Sequence, residues 1–147
     1  MKLTFAEKVA LVAMGFGLLH HVDHVLRYDH SGWPFKPEVT PFTYTLLVYP
    51  VFALLLLLRS WPRVRVAMAL LLFLFPVLAH TFLETPADQY RTWAHLPEVN
   101  LLHTTSAVFG AGAVAIACLL SLSTFVMLIA FWQEARRRAS FLRAVPK

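Results

Sequence analysis

Charge is the first thing this chain has little of. Only 14% of its 147 residues are Asp, Glu, Lys or Arg, where a soluble domain carries about a quarter. Hydrophobic residues make up 59%, so the shortage excludes both a disordered chain and a water-soluble globule. Cysteine is as scarce. The single Cys118 rules out a disulfide scaffold and a thiolate-rich metal site. A small-residue cleavage site is also missing after the first apolar stretch, Val9 to Leu19, which leads directly into His20-His21-Val22-Asp23-His24. The N-terminal segment therefore reads as a retained helix rather than a signal peptide.

What is present instead is a set of charge-poor runs, each near the roughly 20 residues that cross a 30 Å hydrocarbon layer. Four spans are expected, at about 5–27, 41–59, 64–84 and 101–135, with outer loops at 28–40 and 85–100 and a cytoplasmic tail at 136–147. Thr4 and Glu7 have the spacing of a capping box ahead of the first span. Thr40-Pro41 reads as an N-cap followed by Pro at the first helical position of the second. Pro50 and Pro76 are expected to kink the second and third spans, and Thr85-Pro86 to stop the third. Residues 1–147 form one membrane domain on this reading.

The few charges are unevenly placed. One face of the membrane holds ten bases (Lys2, Lys8, Arg59, Arg63, Arg65, Arg136, Arg137, Arg138, Arg143 and Lys147) against Glu7 and Glu134; the other holds Arg27, Lys36 and Arg91 against Asp23, Asp29, Glu38, Glu84, Asp88 and Glu98. By the positive-inside rule both termini lie in the cytoplasm, as expected of an inner-membrane protein. Trp33 and Trp93 fall at the outer interface, and Trp61 and Trp132 at the inner one, where aromatic belts belong. The net charge of +5 thus reports topology, and nucleic acid is excluded as a partner. The lipid bilayer is the expected one. Arg136-Arg137-Arg138 reads as an anchor to anionic headgroups.

A shift of sixty residues superimposes Trp33, Pro37, Glu38 and Val39 on Trp93, Pro97, Glu98 and Val99, and also aligns His20 with His80 and Thr45 with Thr105. His24 then falls on Glu84. The expected architecture is an all-α integral membrane protein, a four-transmembrane-helix bundle of two tandem helical hairpins with a pseudo-two-fold axis along the membrane normal. Gly15, Gly17, Gly110 and Gly112 read as small-residue contacts between the first and fourth helices.

All seven histidines (20, 21, 24, 30, 80, 95 and 103) fall in the outer half. His20 and His24 share a helical face, as do His80 and Glu84. At 1.5 Å per residue, His20 and His80 occupy one depth and His24, Glu84 and His103 a second, about one turn further out. Ionisable groups at such depths turn away from lipid and mark a functional site. Imidazole with carboxylate suits Zn, Fe, Cu or Mn, and bundle cores hold metals with inward His and Glu. The expected ligands are His20, His24, His80, Glu84 and His103. Asp23, His21 and Tyr44 are expected to support them, Asp23 by fixing a ligand tautomer. His30 and His95 read as interfacial loop groups.

Four functions fit this pattern. The first is a metal-binding membrane protein, including a metal-dependent enzyme. The second is a b-type haem carrier with His20 and His80 as axial ligands, exchanging electrons with a quinone or another lipid-soluble substrate. The third is a metal-free acid–base membrane enzyme, and the fourth an accessory subunit whose histidines are structural.

Overall fold

A computed structural model describes residues 2–27, 44–95 and 103–144, with backbone only at 27, 94–95, 103–105 and 142–144. No strand occurs among the described residues. The described residues form five helices: α1 (Phe5–Arg27), α2 (Val48–Leu57, entered through a 3-10 turn at Thr45–Leu47), α3 (Pro62–Phe82), α4 (Pro86–His95) and α5 (His103–Ala144). Among the described residues, three segments are long and apolar enough to cross a membrane: Phe5–Leu26, Pro62–Phe82 and Ser106–Phe141. Thr45–Leu57 is apolar but shorter. Of the expected second span, residues 41–43 lie outside the described residues, and the helix ends at Leu57 rather than 59.

Local chemistry sets these boundaries. Thr4 and Glu7 form the expected capping box: the Thr4 N–H donates to Glu7 Oε2 at 2.9 Å, and the Glu7 N–H donates to Thr4 Oγ1 at 3.3 Å. Pro50 sits in the first turn of α2, where its missing N–H costs no helical bond. The irregularity lies just before it, in the 3-10 turn. Pro62 takes the first position of α3, and Pro76 stands inside that helix, which continues to Phe82.

The expected outer loop 85–100 instead begins with a helix. Thr85 and Asp88 bond reciprocally, Thr85 N–H to Asp88 Oδ2 at 3.1 Å and Asp88 N–H to Thr85 Oγ1 at 3.3 Å. Pro86 follows the cap, so the pair that stops α3 also starts α4. Within the expected tail, residues 136–144 are likewise helical: α5 runs unbroken for 42 residues, about 63 Å, twice a hydrocarbon thickness.

α5 is the spine, packing against α1, α3 and α4, while α2 lies against α3 and α1. Small residues let α1 approach it. Ala6, Ala10 and Ala13 are buried, continuing to Gly17 on the same face, and Ala113 and Ala117 are buried on α5. Of the four glycines expected in this contact, Gly15 and Gly112 have nothing near the position of an added Cβ. Gly110 is the one that geometry demands. A Cβ there would lie 2.9 Å from the Tyr90 ring and carbonyl, so Gly110 admits α4 rather than α1.

The apolar core, centred on Ala10, Phe52, Leu55, Leu72, Met127 and Phe131, occupies the half of the bundle that holds the start of α1. There Thr4 Oγ1 donates to Glu134 Oε2 at 3.1 Å. An ionic cluster closes that end. Arg65, 1% exposed, donates to Glu7 Oε1 at 2.9 Å, to Glu134 Oε1 at 3.3 Å and to the Leu55 carbonyl at 2.8 Å. Its guanidinium also lies 4.4 Å from the Phe131 ring centre. Arg59 pairs with Glu7. Arg138, expected to face headgroups, instead donates to Glu134 Oε1 at 2.8 Å and to the Arg59 carbonyl at 2.7 Å.

Candidate metal centre

At the opposite end, α1, α3 and α4 bring the outer polar groups together. His20 and His24 lie one turn apart on the buried face of α1, 7% and 3% exposed. Glu84, 3% exposed, follows the last turn of α3, where its N–H and that of Leu83 both donate to the Ala79 carbonyl, at 3.0 and 2.8 Å. This wrapped terminus turns the carboxylate back towards α1. His24 Nε2 is then 3.1 Å from His20 Nε2 and 3.4 Å from Glu84 Oε2.

The sequence suggested two stacked layers; the side chains close into one cluster. Cα–Cβ bonds on a helix tilt towards its N-terminus, so the His24 ring leans back onto His20. The two ring centres are 4.6 Å apart and nearly perpendicular. Ligand atoms of His20, His24 and Glu84 all lie within 4.8 Å of one another.

His80 borders this triad. Its ring meets that of His20 edge to face at 4.6 Å, and its Nδ1 is 3.9 Å from Glu84 Oε2. Axial ligation of a haem by these two histidines would require a macrocycle between them, and rings in edge-to-face contact leave no such slot. The arrangement does not support the haem reading.

His103 heads α5, but its side chain lies outside the described residues, as do His30 and the side chain of His95.

The supporting residues differ from those expected. Asp23 Oδ1 accepts from the Trp93 indole N–H at 2.8 Å. Trp93 is 6% exposed and stacks on Phe109 with ring centres 4.9 Å apart. It is therefore a pin between α4, α1 and α5 and not an interface residue; Trp61 and Trp132 do remain exposed. Tyr44 is 64% exposed, and Tyr49 takes the role imagined for it. The Tyr49 hydroxyl bonds His21 Nδ1, and Thr45 Oγ1 lies 3.1 Å from His21 Nε2. Both nitrogens of His21 are thus engaged by hydroxyl groups of the α2 segment, while His20 faces the cluster.

Sequence reasoning missed Gln89. It is fully buried on α4, and its Nε2 donates to His80 Nδ1 at 2.8 Å and to Glu84 Oε2 at 3.1 Å. Its Oε1, and Nδ1 of His20, have no hydrogen-bond partner among the described residues. Buried polar atoms in native proteins are nearly always satisfied, so two orphans beside one cluster mark a place for a ligand, ion or water. The signal for α4 was the Thr85-x-x-Asp88 box around Pro86, readable in the sequence.

Beside the cluster lies a cavity of about 140 Å³ whose walls include His20, His21, His24, Thr45, His80 and Glu84. It continues between α2, α3 and α5 to Phe52, Leu72, Phe75 and Thr124. No family model matches the chain, nor does any curated protein or solved structure. Function is therefore argued from this site alone.

Proposed function

We propose that the protein is a membrane metalloprotein that holds one divalent transition metal on His20 Nε2, His24 Nε2 and Glu84. One observation carries the reading, the spacing of the donor atoms. With metal–ligand bonds of about 2.0–2.1 Å, adjacent ligands of a tetrahedral ion lie about 3.3 Å apart. Two edges of the triad, at 3.1 and 3.4 Å, are already at that separation. Two imidazoles and one carboxylate suit Zn²⁺ or Fe²⁺ with coordination positions left open, the form in which a metal acts as a Lewis acid or activates bound water. His80 stands at the edge of the set as a further ligand or as a hydrogen-bonding neighbour.

Four membrane crossings accompany this reading, with Thr45–Leu57 and the residues before it as the second. The meeting of Thr4 with Glu134 supports an even number of crossings. The residues paired by the sixty-residue shift, His20 with His80 and His24 with Glu84, approach each other across the bundle, which supports the two-hairpin duplication. The basic end, by the charge rule, faces the cytoplasm, and the metal lies towards the outer face.

The protein purified in mild detergent should contain or take up about one equivalent of metal by elemental analysis. His24→Ala and Glu84→Gln should each weaken it by more than the 10–100-fold that loss of an outer partner costs. A wild-type chain with no metal affinity, or variants that bind as well as wild type, would overturn the reading. A Soret band would do so in favour of haem.

A further inference from the structure

The cavity next to the triad has a size, a polarity and a mouth of its own. An apolar cavity of about 150 Å³ stays dry and accepts a benzene ring, and this one holds about 140 Å³. Its polar groups cluster at the metal end, with Thr45 and His21 beside them, and the far end is built from Phe52, Leu72, Phe75 and Leu120 with Thr124 among them. Among the described residues, no Lys or Arg lines it. A phosphate or carboxylate headgroup would find no cation there apart from the metal, and burying such a charge uncompensated is costly.

Access points in the same direction. Phe75 and Leu83 line the cavity and are also 44% and 69% exposed on the outside of the bundle. That flank belongs to α3, one of the segments apolar enough to cross a membrane. A molecule reaching the cavity past these side chains comes from the lipid.

We propose that the cavity receives the hydroxylated six-membered ring of a neutral, lipid-soluble molecule, of the phenol or quinol type. The ring oxygen occupies an open position on the metal, and the ring lies between Phe52 and Phe75. This inference rests on the metal reading above and adds the class of ligand that the metal meets.

Phenol and the Co²⁺-loaded protein test it, because the visible absorption of Co²⁺ reports changes in its ligands. Phenol should shift that spectrum saturably, and toluene, of similar shape but without the hydroxyl, should not. Ala79→Phe, which fills the cavity wall beside His80, should leave Co²⁺ uptake intact and weaken the phenol response at least tenfold. Ala79→Leu serves the same purpose where the larger ring prevents folding. A Co²⁺ spectrum indifferent to phenol, or a response equal in wild type and the filled variants, overturns the proposal while leaving the metal site standing. A chain that takes up no Co²⁺ overturns both.

Discussion

The two ends of this bundle both bury ionisable groups and treat them in opposite ways. At the end that holds the start of α1, Arg65 reaches two carboxylates, a carbonyl and an aromatic face, and Glu7 is matched by Arg65, Arg59 and the Thr4 N–H. That cluster is saturated with its own partners. At the other end, the ligand-type atoms His20 Nε2, His24 Nε2 and Glu84 Oε2 crowd together, two buried polar atoms have no partner among the described residues, and a cavity adjoins them. A saturated set of charges is a clamp, whereas convergent ligand-type atoms beside a cavity are what the proposed binding site is built from. Charge content alone would rank the ends the other way, because the obvious salt bridges lie at the clamped end.

The contrast can be broken most forcefully at Arg65. Removing one partner of a buried ion pair leaves the other charge stranded and costs about 3–5 kcal/mol. Arg65→Ala should therefore show the largest loss of stability in detergent unfolding, with little change in the metal affinity of whatever protein remains folded. Removing both charges, as Glu7→Leu with Arg65→Met, should recover much of the loss, since apolar replacements of buried pairs are often neutral. If Arg65→Ala instead abolished metal binding in folded protein, the two ends would be coupled and the distinction between clamp and site would fail.

How much of this was legible in the sequence depended on whether the signal was local. The Thr4–Glu7 box could be read because its two bonds span three residues; that Glu7 is also the anion for Arg65 and Arg59, more than fifty positions away, could not. Lys and Arg at that end were counted as a topology signal, and the count hid the network. His20, His24, His80 and Glu84 were legible through helical spacing and the sixty-residue shift, both of which report depth. Depth did not show that the rings would lean together, because the separation of one turn is comparable to the reach of an imidazole. Tyr49 was missed in favour of Tyr44 because five residues through a 3-10 turn change the direction of a side chain in a way that no uniform helical period predicts. Gln89 and Trp93 were missed for a different reason. Thr85-Pro86 was read only as the end of α3, and a segment taken as loop contributes no inward face.

Gln89 offers the next, smaller way to sharpen the comparison. It reaches His80 and Glu84 from α4, a helix with no counterpart at the clamped end among the described residues. Groups that orient metal ligands typically contribute 10–100-fold to affinity, about 1.4–2.7 kcal/mol. Gln89→Ala should weaken metal binding within that range by calorimetric titration, leaving unfolding of the metal-free protein much less affected than Arg65→Ala does. Stability lost without any change in affinity would make Gln89 part of a second clamp.

The smallest expected effect concerns the cap that starts α4. Asp88 accepts from the Thr85 hydroxyl and from the Thr85 N–H, and these bonds hold its carboxyl below the ordinary aspartate value. A carboxyl lowered in the folded state stabilises it above the unfolded pKa, and the contribution disappears as pH falls through the folded value. Asp88 is fully exposed to solvent, so the effect on global stability is slight. The first turn of α4 should nevertheless lose hydrogen-exchange protection as the solution becomes more acidic than the ordinary aspartate range. Asp88→Asn should reduce that protection already at neutral pH, because the amide is a weaker acceptor for the cap. Fraying of that turn loosens the helix that carries Gln89 and Trp93, so metal affinity should decline with it in the variant. The ionic clamp, which shares no residue with α4, should keep its protection under the same conditions. Equal loss at both ends would mean that acid loosens the whole bundle rather than the cap of α4.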